Sequence, residues 1–194
     1  MRTATLILSL MATPVLADCP TIKNMSAGIR LTDMDGGAET YRTQSDLFVK
    51  GDYKDDVGTG SEFLLLKGIY VVESFDLDYG KRVLGSRVTH AYPLKPAEAP
   101  VPASGGRWDT EVMTLDGADV INQRESYIFG PLTQITIGGC SYDMHTIFAI
   151  YHDEDGYEEK LHYLPELGFA YLAETKSKDH SAETYTYVRI ETLP

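Results

Sequence analysis

The densest set of chemically capable side chains lies between positions 145 and 162. His145, His152, Asp153, Glu154 and Asp155 come in close succession, and His162 follows on the next predicted strand. Imidazole with carboxylate is the donor set of zinc and related metals. Strand alternation puts His145 and His162 on one predicted face. A metal-assisted hydrolase using His145, His152, His162, Asp153 and Asp155 is therefore one reading of the chain. The spacing, however, matches no established type of ligand run. A solvated strand face ending in an acidic turn tip accounts for the same residues more simply. Asp153-x-Asp155-Gly156 and Asp33-x-Asp35-Gly36 also place oxygen ligands beside tight turns. Neither continues into the long loop with a terminal Glu that an EF-hand needs, and Asp at a hairpin turn already has a backbone reason.

Other catalytic signals are missing from the sequence. It has no G-x-S-x-G, and Gly58-Thr59-Gly60-Ser61 does not supply one. No P-loop, dinucleotide fingerprint or H-E-x-x-H occurs, so no cofactor is implied. This argues against an enzyme without closing the question, because triads are recognised by geometry rather than order. Thirteen tyrosines are many for 194 residues. Tyrosines lining a cleft clamp amphipathic ligands or stack on sugars, but tyrosine is also a favoured strand residue. Tyr185 and Tyr187 share a parity, and sheet packing is the simpler account of the set.

The elements that must position these groups read as strands. Three Asp-Gly pairs sit between alternating apolar segments, the pattern of tight hairpins. Asp35-Gly36 joins 28–33 to 38–44, Asp116-Gly117 joins 107–115 to 120–129, and Asp155-Gly156 joins 141–152 to 157–164. In the third hairpin, Cys140, Tyr142, Met144, Phe148 and Ile150 share one parity; Ser141, Asp143, His145 and Tyr151 share the other. Leu161 and Tyr163 would match the apolar side, with Glu158, Lys160 and His162 opposite. One face on a core and one face wet is the expected arrangement.

Segments 63–66 and 69–72 are apolar on both parities, which predicts strands covered on both faces. Further strands are expected at 46–53, 82–90, 133–137, 169–174 and 184–190. Short helical turns are expected near Pro20–Met25 or Pro165–Gly168. The fold class that follows is all-β and mainly antiparallel, with about ten strands in a curved sheet, barrel or sandwich. Pro96, Pro100, Pro102, Gly105 and Gly106 mark residues 94–106 as an internal loop or linker.

Residues 1–17, MRTATLILSLMATPVLA, read as a bacterial secretory signal cleaved between Ala17 and Asp18. The apolar stretch falls short of the roughly 20 residues of a membrane span. Asp18, just before Cys19, does not suit lipidation. Residues 18–194 would then form a single β domain in the periplasm or outside the cell, with no later transmembrane segment. Cys19 and Cys140 are the only cysteines, and in an oxidising compartment an isolated pair is most simply one disulfide. The net charge of −12 repels nucleic acid and anionic headgroups.

Together these features predict an exported, non-catalytic envelope protein that binds or carries an apolar or amphipathic ligand. A structural module that pairs with another envelope protein is the alternative, and the metal-assisted hydrolase ranks behind both.

Overall fold

A computed structural model describes residues 18–152 and 155–194. The expected signal segment and Asp153–Glu154 lie outside the described residues. The described chain is nearly all antiparallel β, as the alternation required. The first strands are β1 (Ile29–Asp33), β2 (Ala38–Ser45), β3 (Phe48–Lys54), β4 (Gly60–Leu66), β5 (Tyr70–Asp78), β6 (Lys81–Arg82) and β7 (Val88–Ala91). The rest are β8 (Arg107–Asp116), β9 (Asp119–Ile137), β10 (Cys140–Tyr151), β11 (Glu158–Leu164), β12 (Phe169–Ser177), β13 (His180–Thr184) and β14 (Tyr187–Thr192).

They form one sheet in the order β13-β12-β11-β10-β9-β8-β7-β5-β4-β3-β2-β1-β14, with β6 paired to β5 off this path. The path has two free ends, so the sheet is open rather than a closed barrel. Among the described residues only two 3-10 turns occur, Ile22–Ser26 and Pro96–Glu98. No helix there is long and apolar enough to cross a membrane.

All three Asp-Gly pairs turn hairpins. Gly36, Gly117 and Gly156 have φ of 93°, 58° and 58°, values that cost a glycine little and other residues more. The expected strand 82–90 is broken in two around Gly85 and Ser86. The Ser86 hydroxyl donates to the Val83 carbonyl and accepts from the Asp76 amide. Segments 120–129 and 133–137 instead merge into one 19-residue strand, β9. Gly130 and Pro131 together face Thr146 alone, because Leu132 pairs with His145 and Phe129 with Ile147. This is a bulge, a position that tolerates a proline without an N–H.

The expected buried face of β10 holds only for its first half. Cys140, Tyr142 and Met144 are buried, but past the irregularity the buried residues are Ile147 and Ala149, and Phe148 is 40% exposed. The extra residue is on β9, and β10 pairs with β11 without a break, so its alternation runs straight through and the buried parity changes where the second core cluster takes over from the first.

Two buried clusters fill the curled sheet. One is centred on Tyr41, Phe169, Leu164 and Ile29; the other on Tyr70, Tyr127, Phe129 and Ile147. Leu65 belongs to the first and its neighbour Leu66 to the second, so β4 is covered on both faces. Tyr41 and Phe169 stack with centroids 4.0 Å apart and couple β2 to β12. The loop at 94–106 packs onto the sheet: Ala99 is buried and the Pro100 carbonyl accepts from the Tyr70 hydroxyl. That loop returns the chain to β8, which pairs with β7.

The β4–β5 turn docks onto β12. The Gly68 carbonyl accepts from the Ala170 amide at 2.7 Å. A Cβ at Gly68, whose φ is +69°, would lie 2.0 Å from the Gly168 carbonyl oxygen. Gly68→Ala therefore forces overlap with backbone as well as a strained φ, and a loss of about 3 kcal/mol is expected. Urea unfolding checks this, and a wild-type midpoint would show that the turn is not held as described.

Candidate functional site

The curl of the sheet encloses a cavity of about 500 Å³, within the size range of small-molecule sites. Its apolar lining comes from Phe63, Leu65, Ile69, Val71, Leu161, Ala170 and Leu172. Eight of the thirteen tyrosines line it too, and Tyr41, Tyr127 and Tyr187 among them also belong to the buried core clusters.

Three carboxylates also face the cavity, each hydrogen-bonded to tyrosine. On β2, the Tyr41 hydroxyl donates to Glu39, two residues away on the same face, and Tyr187 on β14 bonds the same carboxylate. On β9, Tyr127 donates to Glu125 at 2.7 Å. Glu159 on β11 accepts from Tyr151 at 2.9 Å and Tyr157 at 3.2 Å. Tyr92 completes the group, its hydroxyl 3.3 Å from that of Tyr127. Glu125 pairs in register with Tyr151, and Glu159 with Ala149. The two carboxylates thus flank β10 on either side.

Burial is the main force on all of these groups. It raises Glu39 to about 7, against smaller lowering by Tyr41 and Tyr187. It raises Glu125 to about 7, with the charge of Glu159 adding to the rise. Glu159 is raised by the same cause. Desolvation disfavours the charged carboxylate unless a cation compensates, and among the described residues no ion pair reaches any of the three. His90 also lines the cavity; its Nδ1 lies 2.9 Å from the Thr114 hydroxyl, and burial lowers its pKa.

The sequence carried a signal for this site that composition did not reveal. Glu39-x-Tyr41, Glu125-x-Tyr127 and Tyr157-x-Glu159 each separate acid and phenol by two. On a strand that spacing puts both side chains on one face.

The histidines expected to gather do not share a face. His145 pairs with Tyr163 and His162 with Thr146, adjacent register positions whose side chains point to opposite sides of the sheet. His145 Nδ1 lies 2.9 Å from the Gly130 carbonyl, and His162 Nδ1 lies 3.0 Å from the Tyr171 hydroxyl. His152 Nε2 lies 2.8 Å from the Ser126 hydroxyl. Asp155 is exposed at its turn, and Asp153 lies outside the described residues. Among the described residues, no group of three His, Cys, Asp or Glu is placed to hold a metal ion.

Ser126, His152 and Asp109 do meet, away from the cavity lining. Ser126 donates to Asp109 at 2.5 Å. Arg107 grips that carboxylate and, with Ser126, holds it down at about 2. Here serine bridges acid and imidazole, whereas a hydrolase triad needs the imidazole between acid and serine. Among the described residues, no carboxylate is hydrogen-bonded to the His152 ring to orient it as a base.

Cys19 and Cys140 form a disulfide. The bond anchors the N-terminal segment beside Tyr142, whose hydroxyl donates to the Pro20 carbonyl. No protein-family model, curated protein or solved structure matches this chain.

Proposed function

We propose that this is an exported, non-catalytic binding or carrier protein whose cavity takes an amphipathic ligand. The carrying observation is the cavity of about 500 Å³, where apolar walls meet tyrosine hydroxyls and three carboxylates. Apolar walls with a few convergent polar groups are what a site for an amphipathic small molecule requires. The disulfide and the signal-like residues 1–17 support export to an oxidising compartment, the periplasm or beyond.

The test is titration with N-phenyl-1-naphthylamine, an apolar amine probe that brightens out of water. Wild type is expected to give a saturable one-site curve. Leu161 and Leu172 face each other across β11 and β12 in the cavity wall. Leu172→Trp would occupy ligand volume and weaken the probe at least about tenfold. Linear, unsaturable fluorescence, or equal binding by a folded Leu172→Trp, would overturn the reading.

A second reading has its own observation. Met113, Leu115 and Val120 are exposed on one face of the β8–β9 hairpin, with Leu115 paired to Val120. Exposed apolar residues grouped this way suit contact with another envelope protein. On that reading partner binding survives Leu172→Trp and is lost in Leu115→Lys; the reverse pattern contradicts it.

A further inference from the structure

Resting on the reading of the cavity as a binding site, we infer that its ligand is a cationic amphiphile: an ammonium-like group joined to an apolar body. The charge of the lining carries the inference. Glu39, Glu125 and Glu159 face the cavity, and no lysine or arginine lines it among the described residues. The remaining basic group, His90, is held towards its neutral form by burial. The hydrogen bonds to the carboxylates among the described residues come from tyrosine hydroxyls.

Burying carboxylates without a cation is costly, and an apolar or anionic ligand would deepen that cost by expelling water. A cation would relieve it. Glu125 and Glu159 flank Tyr151, which donates to Glu159. Two carboxylates and phenol rings converging from three strands form a cage of the kind that holds ammonium groups through charge and ring faces. Phe63, Leu65, Leu161 and Leu172 supply the apolar remainder of the lining. A cationic ligand would bind the ionised carboxylates, so occupancy would also draw protons off Glu125 and Glu159.

The experiment holds the tail constant and changes the head. Dodecyltrimethylammonium, dodecyl maltoside and dodecyl sulfate, each below its micellar concentration, are titrated calorimetrically into the folded protein at pH 8. The cation is expected to bind at least about tenfold tighter than the neutral maltoside, with the sulfate weakest. The double variant Glu125→Gln/Glu159→Gln is expected to erase the preference for the cation over the maltoside. Equal affinity for all three heads, tighter sulfate binding, or a preference that survives the double variant would overturn the inference while leaving the cavity a binding site. Failure of all three to bind would overturn the binding reading itself.

Discussion

Removing the disulfide with Cys19→Ser/Cys140→Ser is expected to lower stability by about 4–5 kcal/mol, measured by urea unfolding. The magnitude comes from loop length. The bond joins residues 121 apart, so it denies the unfolded chain the freedom of most of its length. Such a loss is a large share of a typical domain's 5–15 kcal/mol. A second contribution is local. Met25 and Pro20 are fully buried, and the Tyr142 hydroxyl bonds the Pro20 carbonyl at 3.0 Å. Without the anchor, residues 18–26 exchange amide hydrogens freely and uncover part of the first core cluster. Reductant should reproduce the effect in wild type and do nothing to the double variant. A shift below about 1 kcal/mol, the size of an ordinary surface substitution, would show that the unfolded chain gains little from losing the link.

The second large effect is a loss of stability as pH rises from about 4.5 to above 7. Glu39 and Glu125 sit at about 7 in the folded protein against 4.5 in the unfolded chain. The folded state holds these protons more tightly. Their contribution is therefore fully present below the unfolded pKa and is lost as pH climbs through the folded one. Each group accounts for on the order of 3 kcal/mol, from about 1.4 kcal/mol per pKa unit. Glu159 acts in the same direction.

Glu39→Gln and Glu125→Gln keep a side-chain oxygen to accept from Tyr41 and Tyr127 but cannot ionise. Each variant should match wild type near pH 4.5 and exceed it at pH 8, with the two stability curves separating between these limits. Curves that stay parallel would mean that these carboxylates are not buried as described. Because the comparison is made between curves, titration of groups that do not interact with the replaced carboxylate cancels.

Much of the fold was legible because its signals are local. Asp-Gly turns, period-two alternation and the doubly apolar runs at 63–66 and 69–72 specify hairpins and covered strands with little tertiary help. What was not legible depended on pairing partners. Gly130-Pro131 read as a break between strands, whereas a bulge opposite Thr146 lets β9 run through it. Along β10 the buried side changes with the cluster it meets: Met144 belongs to the first, Ile147 and Ala149 to the second, and Phe148 is left exposed.

The site was less legible for a related reason. Charged residues on a strand read as its wet side, and Glu159 lies between Glu158 and Lys160, which invites that reading. Only the register, with Glu159 opposite Ala149, places it on the cavity side. The histidines do not assemble because β10 and β11 pair His145 with Tyr163 and Thr146 with His162, which sets the two imidazoles on opposite faces. The acid-x-tyrosine repeat was present throughout and required no structure to see.

The most direct test of the central claim, that the cavity carries an amphipathic ligand, is native mass spectrometry on protein isolated from the exported fraction of its own host. The native mass should exceed the denatured mass by that of one small molecule, and the excess should be absent from Leu172→Trp produced the same way. A native mass equal to that of the bare chain under several gentle purification conditions, or an adduct that persists undiminished in folded Leu172→Trp, would contradict it.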